Sequence, residues 1–218
     1  MSMPWSWSPV QLSLTVAATA TLISLLISIP SVYWMTGRKQ RRKVLIETLF
    51  FMPLVLPPTV IGFLLLVLFG SRSPVGKAIE WLTGGSLLFT VPAAILVATI
   101  ISFPLIYQTV KTGFLSVNPD IVNSARMDGA SEWSILVSMT IPLAFKSILS
   151  GMLLGFTRAL GEFGATLMIA GNIPGRTQTI PTAIFLAMES GQTKIAWVYA
   201  SISLAFSFVL LLAINRGK

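Results

Sequence analysis

Cysteine and histidine are absent from the 218 residues, and charged side chains make up only 10% of them. The first absence excludes disulfides, thiolate nucleophiles, Cys/His zinc sites, haem ligated by His and any His general base. The seven carboxylates are few and scattered, so no hydrolytic site and no metal site is expected. The low charge excludes a soluble domain, which needs about 25% charged residues to cover its surface. What is present is apolar: 54% of residues are hydrophobic and mean hydropathy is +0.83. The composition is that of an integral membrane protein.

The charge balance is lopsided, at +8 with an isoelectric point near 10.3. No basic stripe lies on a polar scaffold, so nucleic acid is not an expected partner. Lys and Arg concentrated on the cytoplasmic side of a membrane account for the excess.

Runs of about 20 apolar residues mark membrane helices. Five are expected, at about 10–34, 48–69, 87–110, 147–170 and 195–214, in one transmembrane domain covering 1–218. No charge precedes the first run, and Arg38, Lys39, Arg41, Arg42 and Lys43 follow it. That order describes an uncleaved anchor rather than a signal peptide. With the N-terminus outside, ten basic residues fall in cytoplasmic segments and four (Arg72, Lys77, Arg176, Lys194) in external ones. The expectation is therefore N-out and C-in, with Trp5, Trp7 and Trp34 at the interfaces. There is no internal repeat of the kind that marks many secondary transporters.

Several short patterns carry physical content. Gly70 to Lys77 imitates a phosphate-binding loop, but five residues separate its glycines and Ala78 follows the Lys. The true pattern has four, then Ser or Thr, so the chain has no nucleotide site of its own. Asn118 and Pro119 suit a helix start, and Gly129 suits the left-handed residue that ends one. Ser131 then caps a second helix over 132–140. A helix, glycine turn and helix lie more naturally along a membrane than across it. Pro57 and Pro58 fall near the middle of the second span, where either a kink or a cavity-lining break fits. Gly151 and Gly155 form a small-residue spacing suited to close helix packing, with Gly161 and Gly164 beyond. Arg158 and Glu162 are four apart and share a helix face. Exposing both to lipid would be costly, so they are expected to face the bundle or a pore and to pair.

Three of these patterns resemble a known family. Asn123-Ser124-Ala125, three residues, Gly129, nine residues and Met139-Thr140-Ile141-Pro142 resemble the "EAA" signature of ABC importer permeases. Asn123 stands where that signature has its acid, and Ser124 replaces an Ala. Arg158 to Thr166, Ala170 to Pro181, and Pro53 to Pro58 with Gly62 resemble the molybdate permease group. Sulfate permeases resemble the chain less well.

The resemblance implies a five-span, all-α, type I permease bundle with cytoplasmic coupling helices at about 118–142. It implies that Asn123, Ser124, Ala125, Gly129, Ile141 and Pro142 meet the ATPase. Pro57, Pro58, Arg158 and Glu162 become candidates for the translocation path. Asn172, Arg176 and Thr177 become candidates for contact with an external oxyanion-binding protein. The implied partners are a second copy of the chain, two ATP-binding subunits, that binding protein and membrane lipid. This chain would bind no cofactor, and ATP and Mg would sit on the ATPase. The implied location is a bacterial or archaeal plasma membrane, crossed several times. The implied activity is oxyanion import, of molybdate with tungstate or sulfate as alternatives, and no catalysis by this chain. A secondary anion transporter and a membrane enzyme are the rival classes. The first gives the Gly129 segment no task, and the second lacks catalytic side chains.

Overall fold

The computed structural model describes residues 5–36 and 40–216. Arg38, Lys39 and Lys218 lie outside the described residues, as do the side chains of Arg41, Arg42 and Arg216. Among the described residues the regular elements are all helices. In chain order they are α1 (Ser8–Thr36), α2 (Gln40–Val55), α3 (Pro58–Phe69), α4 (Pro74–Thr83), α5 (Val91–Leu115) and α6 (Pro119–Met127). Then come α7 (Glu132–Ile135), a π-turn over Leu136–Thr140, α8 (Ile141–Leu143), α9 (Phe145–Leu160), α10 (Gly164–Ala170), α11 (Ile180–Glu189) and α12 (Thr193–Arg216).

Proline sets where many of these helices begin. Pro58, Pro74, Pro92, Pro119, Pro142 and Pro181 each occupy the first or second helical position. A missing N–H costs nothing there, because the first turn has no intrahelical acceptor for it. Side chains then satisfy the remaining donors. The Ser73 hydroxyl accepts from Gly76 N at 2.8 Å, and Asn118 Oδ1 accepts from Asp120 N at 2.9 Å. The Gly70–Gly76 segment is thereby a capped turn. A Cβ on Gly76 would stand 2.2 Å from the Gly70 carbonyl oxygen, so the second glycine serves chain reversal and not phosphate binding.

Three helical stretches are long and apolar enough to cross a membrane: Ser8–Met35, Val91–Leu115 and Thr193–Leu212. Two bent pairs raise the number to five if each pair counts as one crossing. The expected single helix over 48–69 is instead α2 and α3, which meet at 112°. Pro57 and Pro58 withhold two consecutive N–H donors, and the ladder cannot pass them. The expected helix over 147–170 is also broken, between Leu160 and Gly164, and α9 meets the 132–143 segment at 73°.

Helix α5 is the centre of the bundle, packed by α1, α9, α10 and α2. Its contacts are close because the facing residues are small. Ala17 and Ala20 of α1 lie in one buried cluster with Ala94 and Ala98. The Ser24 hydroxyl donates to the Thr99 carbonyl at 3.1 Å across the same seam. On the other side, Gly151 and Gly155 bring α9 against Thr109 and Ile106. Close packing is thus the use of that glycine pair. Helix α12 is different: Trp197, Leu204, Phe208 and Val209 are all exposed. In water such a surface would aggregate, whereas lipid is its natural solvent.

The two ends of the bundle are distinct. Trp5 stacks on Tyr199 with ring centroids 4.8 Å apart, and the Tyr199 hydroxyl donates to the Ser6 carbonyl. Ile180 N donates to the Ser13 hydroxyl at 2.7 Å, which places the 171–179 loop at this same end. At the opposite end, α1 finishes beside α7, and Lys111 near the end of α5 pairs with Glu47 of α2.

Candidate functional site

The segment 118–142 is built around Gly129. Its φ is +85°, a region that a residue with a Cβ enters only under strain. Asp128 N bonds to Ser124 O at 3.0 Å and Ala130 N to Ala125 O at 3.0 Å, which ends α6 in a tight left-handed turn. Ser131 then caps α7, and its hydroxyl accepts from Ser134 N. Within this segment Asn123, Ser124, Gly129 and Pro142 are exposed. Ala125 is buried, and Ile141 packs against the cluster of Val32, Ile106, Tyr107 and Leu136. The expected group is therefore split: Asn123, Ser124, Gly129 and Pro142 are exposed, while Ala125 is turned inward and Ile141 anchors the part of the segment beyond Gly129 to the bundle.

The second assembly lies where the two broken helices meet. Helices α3 and α10 pack side by side, and a Cβ on Gly62 would stand 2.9 Å from the Ala165 Cα. A Cβ on Gly164 would meet Thr59 at 3.4 Å and Pro58 at 3.7 Å. The break at Pro57-Pro58 and the break at 161–163 are thus neighbours, although about a hundred residues separate them in sequence. Arg158 Nη1 donates to Glu162 Oε2 at 3.0 Å, and the other carboxylate oxygen accepts from Ala165 N at 3.0 Å. The Glu162 side chain is 3% exposed and that of Arg158 is 30%. One carboxylate thus neutralises the arginine and caps the first turn of α10, bridging the helix break.

The third assembly is the loop 171–179. Gly171 and Gly175 both have φ near +70°, at 72° and 73°. The Ile173 carbonyl accepts from Arg176 N, Thr177 N and Gln178 N. Arg176 is exposed at its tip. Thr177 departs from the expectation of a partner contact: it is buried, and its hydroxyl accepts from Ile173 N at 3.1 Å. The hydroxyl is used to close the loop. Asn172 is half-buried and donates to the Thr182 carbonyl at 3.4 Å.

Two polar groups escaped the sequence reading. Glu132 accepts from Arg126 Nε at 2.6 Å and from Arg126 Nη2 at 3.1 Å, a bidentate pair. Hydrogen bonding to Glu132 raises the Arg126 pKa further, so its charge is permanent. Arg126 Nη1 also donates to Asn123 Oδ1 at 3.2 Å. Glu47 is the other: it pairs with Lys111 at 2.6 Å and accepts from the Tyr107 hydroxyl at 2.9 Å. Glu47 thus stands within the first half of the bent pair Lys43–Val55 and Pro58–Phe69. Only the six-residue spacing of Arg126 and Glu132 gave any signal in sequence, and Glu47 gave none, because its partners are 60 and 64 residues away.

Residues 20–216 match the family described as binding-protein-dependent transport system inner membrane component. YvgM of Bacillus subtilis (strain 168) is 46% identical over 212 residues, covering 97% of this chain and 93% of its own. The molybdenum transport system permease protein ModB of Escherichia coli (strain K12) is 36% identical, covering 94% and 91%. ModB of Haemophilus influenzae is 40% identical, covering 84% and 80%. Among solved structures, a bacterial ABC transporter involved in alginate import superposes with a TM-score of 0.77 at 16% identity, covering 96% of this chain and 77% of that one. The MetNI methionine ABC transporter superposes at 0.69 and 15% identity, covering 99% and 97%. These two share the fold.

Proposed function

The chain belongs to the binding-protein-dependent transport system inner membrane components, and on that premise we propose that it is the pore subunit of a molybdate importer. As an ABC permease subunit it is not itself an enzyme. The observation that carries the substrate reading is the near full-length similarity to permeases named for molybdenum transport, at 33–46% identity. Tungstate has the same charge and shape and would pass by the same path. Sulfate is the nearest other anion, and an external binding protein makes the choice between them.

Two copies of the chain form the path, in a bacterial or archaeal plasma membrane, with five crossings each and the N-terminus outside. The binding protein delivers the anion at the face that carries Arg176 and Asn172. Two ATPase subunits, which hold ATP and Mg, grip the exposed residues Asn123, Ser124, Gly129 and Pro142. Their closure on ATP opens the path outward, and release of nucleotide returns it inward. The path runs past the two helix breaks at Pro57, Pro58, Arg158 and Glu162. There the ion pair fixes the shape of the wall and leaves no unpaired charge to trap the anion, since a transported ion must also leave.

Orientation tests this reading directly, and the chain's lack of cysteine makes the test clean. Arg176→Cys is expected to react with a membrane-impermeant maleimide in intact cells. Met127→Cys, at an 82% exposed position, is expected to react only in everted vesicles. The opposite pattern would put the Gly129 segment on the side without ATP and defeat the proposal.

A further inference from the structure

Helix α6 carries Asn123 and Ser124, two of the residues that would face the ATPase, yet it buries only Ala125 and packs chiefly on α7. Helix α7 is held differently. The turn that follows it places Leu136 and Ile141 in the apolar cluster with Val32, Ile106 and Ile148. Apolar packing therefore fixes α7 to the bundle and leaves α6 attached through the Gly129 turn and polar bonds. Those bonds converge on one side chain. Glu132 takes both Arg126 bonds described above, from α6, and its carboxylate also accepts from the Tyr33 hydroxyl at the end of α1. The same hydroxyl lies 3.2 Å from the Glu132 carbonyl oxygen.

We propose that Glu132 is the node of a latch, running Asn123–Arg126–Glu132–Tyr33, that transmits movement of α6 to the first span. This rests on the reading of 118–142 as the ATPase-coupling segment. With the latch closed, α6 cannot swivel about Gly129, and a pull on its exposed face reaches α1. With the latch open, the ATPase closes and moves α6 alone, and that ATP is spent without transport. A bidentate guanidinium–carboxylate pair is suited to this task because it fixes direction as well as distance. Its exposure means that it adds little to stability, so its loss should affect coupling and not folding.

The test uses the full importer, with its ATPase and binding protein, in proteoliposomes supplied with labelled molybdate. The readout is molybdate imported per ATP hydrolysed. Tyr33→Phe is expected to lower the ratio about threefold, the size of one lost hydrogen bond. Glu132→Ala is expected to lower it about fivefold or more, the range of a coupling energy. Hydrolysis should remain stimulated by the binding protein in both, which a folding defect would not allow. The double variant should be no worse than Glu132→Ala, because both changes break one linkage. Unchanged ratios, or losses that add, would overturn the latch. If Gly129→Val uncouples while Tyr33→Phe and Glu132→Ala do not, the latch alone is wrong. If none of the three affects the ratio, the coupling reading falls with it.

Discussion

Gly129→Val is expected to leave the chain inserted in the membrane and to reduce oxyanion uptake about tenfold or more. The cause is in the backbone. Nothing lies within 4 Å of where a Cβ would stand, so crowding plays no part. The φ of +85° is the difficulty, and a β-branched residue tolerates it worst. Strain of this type costs about 1–3 kcal/mol. The cheaper course is for the turn to reopen to negative φ. That breaks the Ala130 N to Ala125 O bond and swings α6 away from Glu132. ATP hydrolysis should then lose its stimulation by the binding protein. Gly129→Asn is the control, since Asn enters the left-handed region with little penalty, and it should keep most of the uptake. Full uptake by the Val variant would make the segment a mere linker.

The second large effect concerns Arg158 and Glu162. Arg158→Gln leaves a carboxylate that is 3% exposed without its partner. Stranding a buried charge costs on the order of 3–5 kcal/mol, moderated here because Arg158 keeps 30% exposure. The single variant should therefore give less folded protein and little transport. Adding Glu162→Gln removes the stranded charge and retains an oxygen that can accept from Ala165 N, so the α10 cap survives. Uptake is expected to return to about half the parental rate or better. Persistently low uptake by the double variant, with normal assembly on the ATPase, would mean that the charges themselves take part in conduction.

Much of this arrangement is legible in the sequence where the causes are local. Asn118, Pro119 and Gly129 announce a helix and its end through their own backbone preferences, and the structure places α6 and the positive φ there. Arg158 and Glu162 can be paired by spacing alone, because helical neighbours four apart share a face. The breaks are less legible. Two prolines predict a disturbance, but the 112° angle depends on α3 finding a partner in α10. That contact needs Gly62 against Ala165, far apart in the chain. The high average apolarity of 147–170 concealed the second break despite Arg158, Gly161 and Glu162, since hydropathy does not register Glu162 bridging a gap between helices. Thr177 became a contact candidate through the family resemblance, and only the fold reveals its hydroxyl closing the loop on Ile173 N. Glu132 and Tyr33 are 99 residues apart, and no pattern in one sequence joins them.

This chain is expected to pass an oxyanion only when another protein hydrolyses ATP and a third delivers the substrate. Proteoliposomes containing the chain and its ATPase, with the binding protein on one side and ATP on the other, measure this directly. Uptake of labelled molybdate is expected to require both additions, with tungstate competing. Uptake by the chain alone, driven by an ion gradient without ATP, would contradict that expectation.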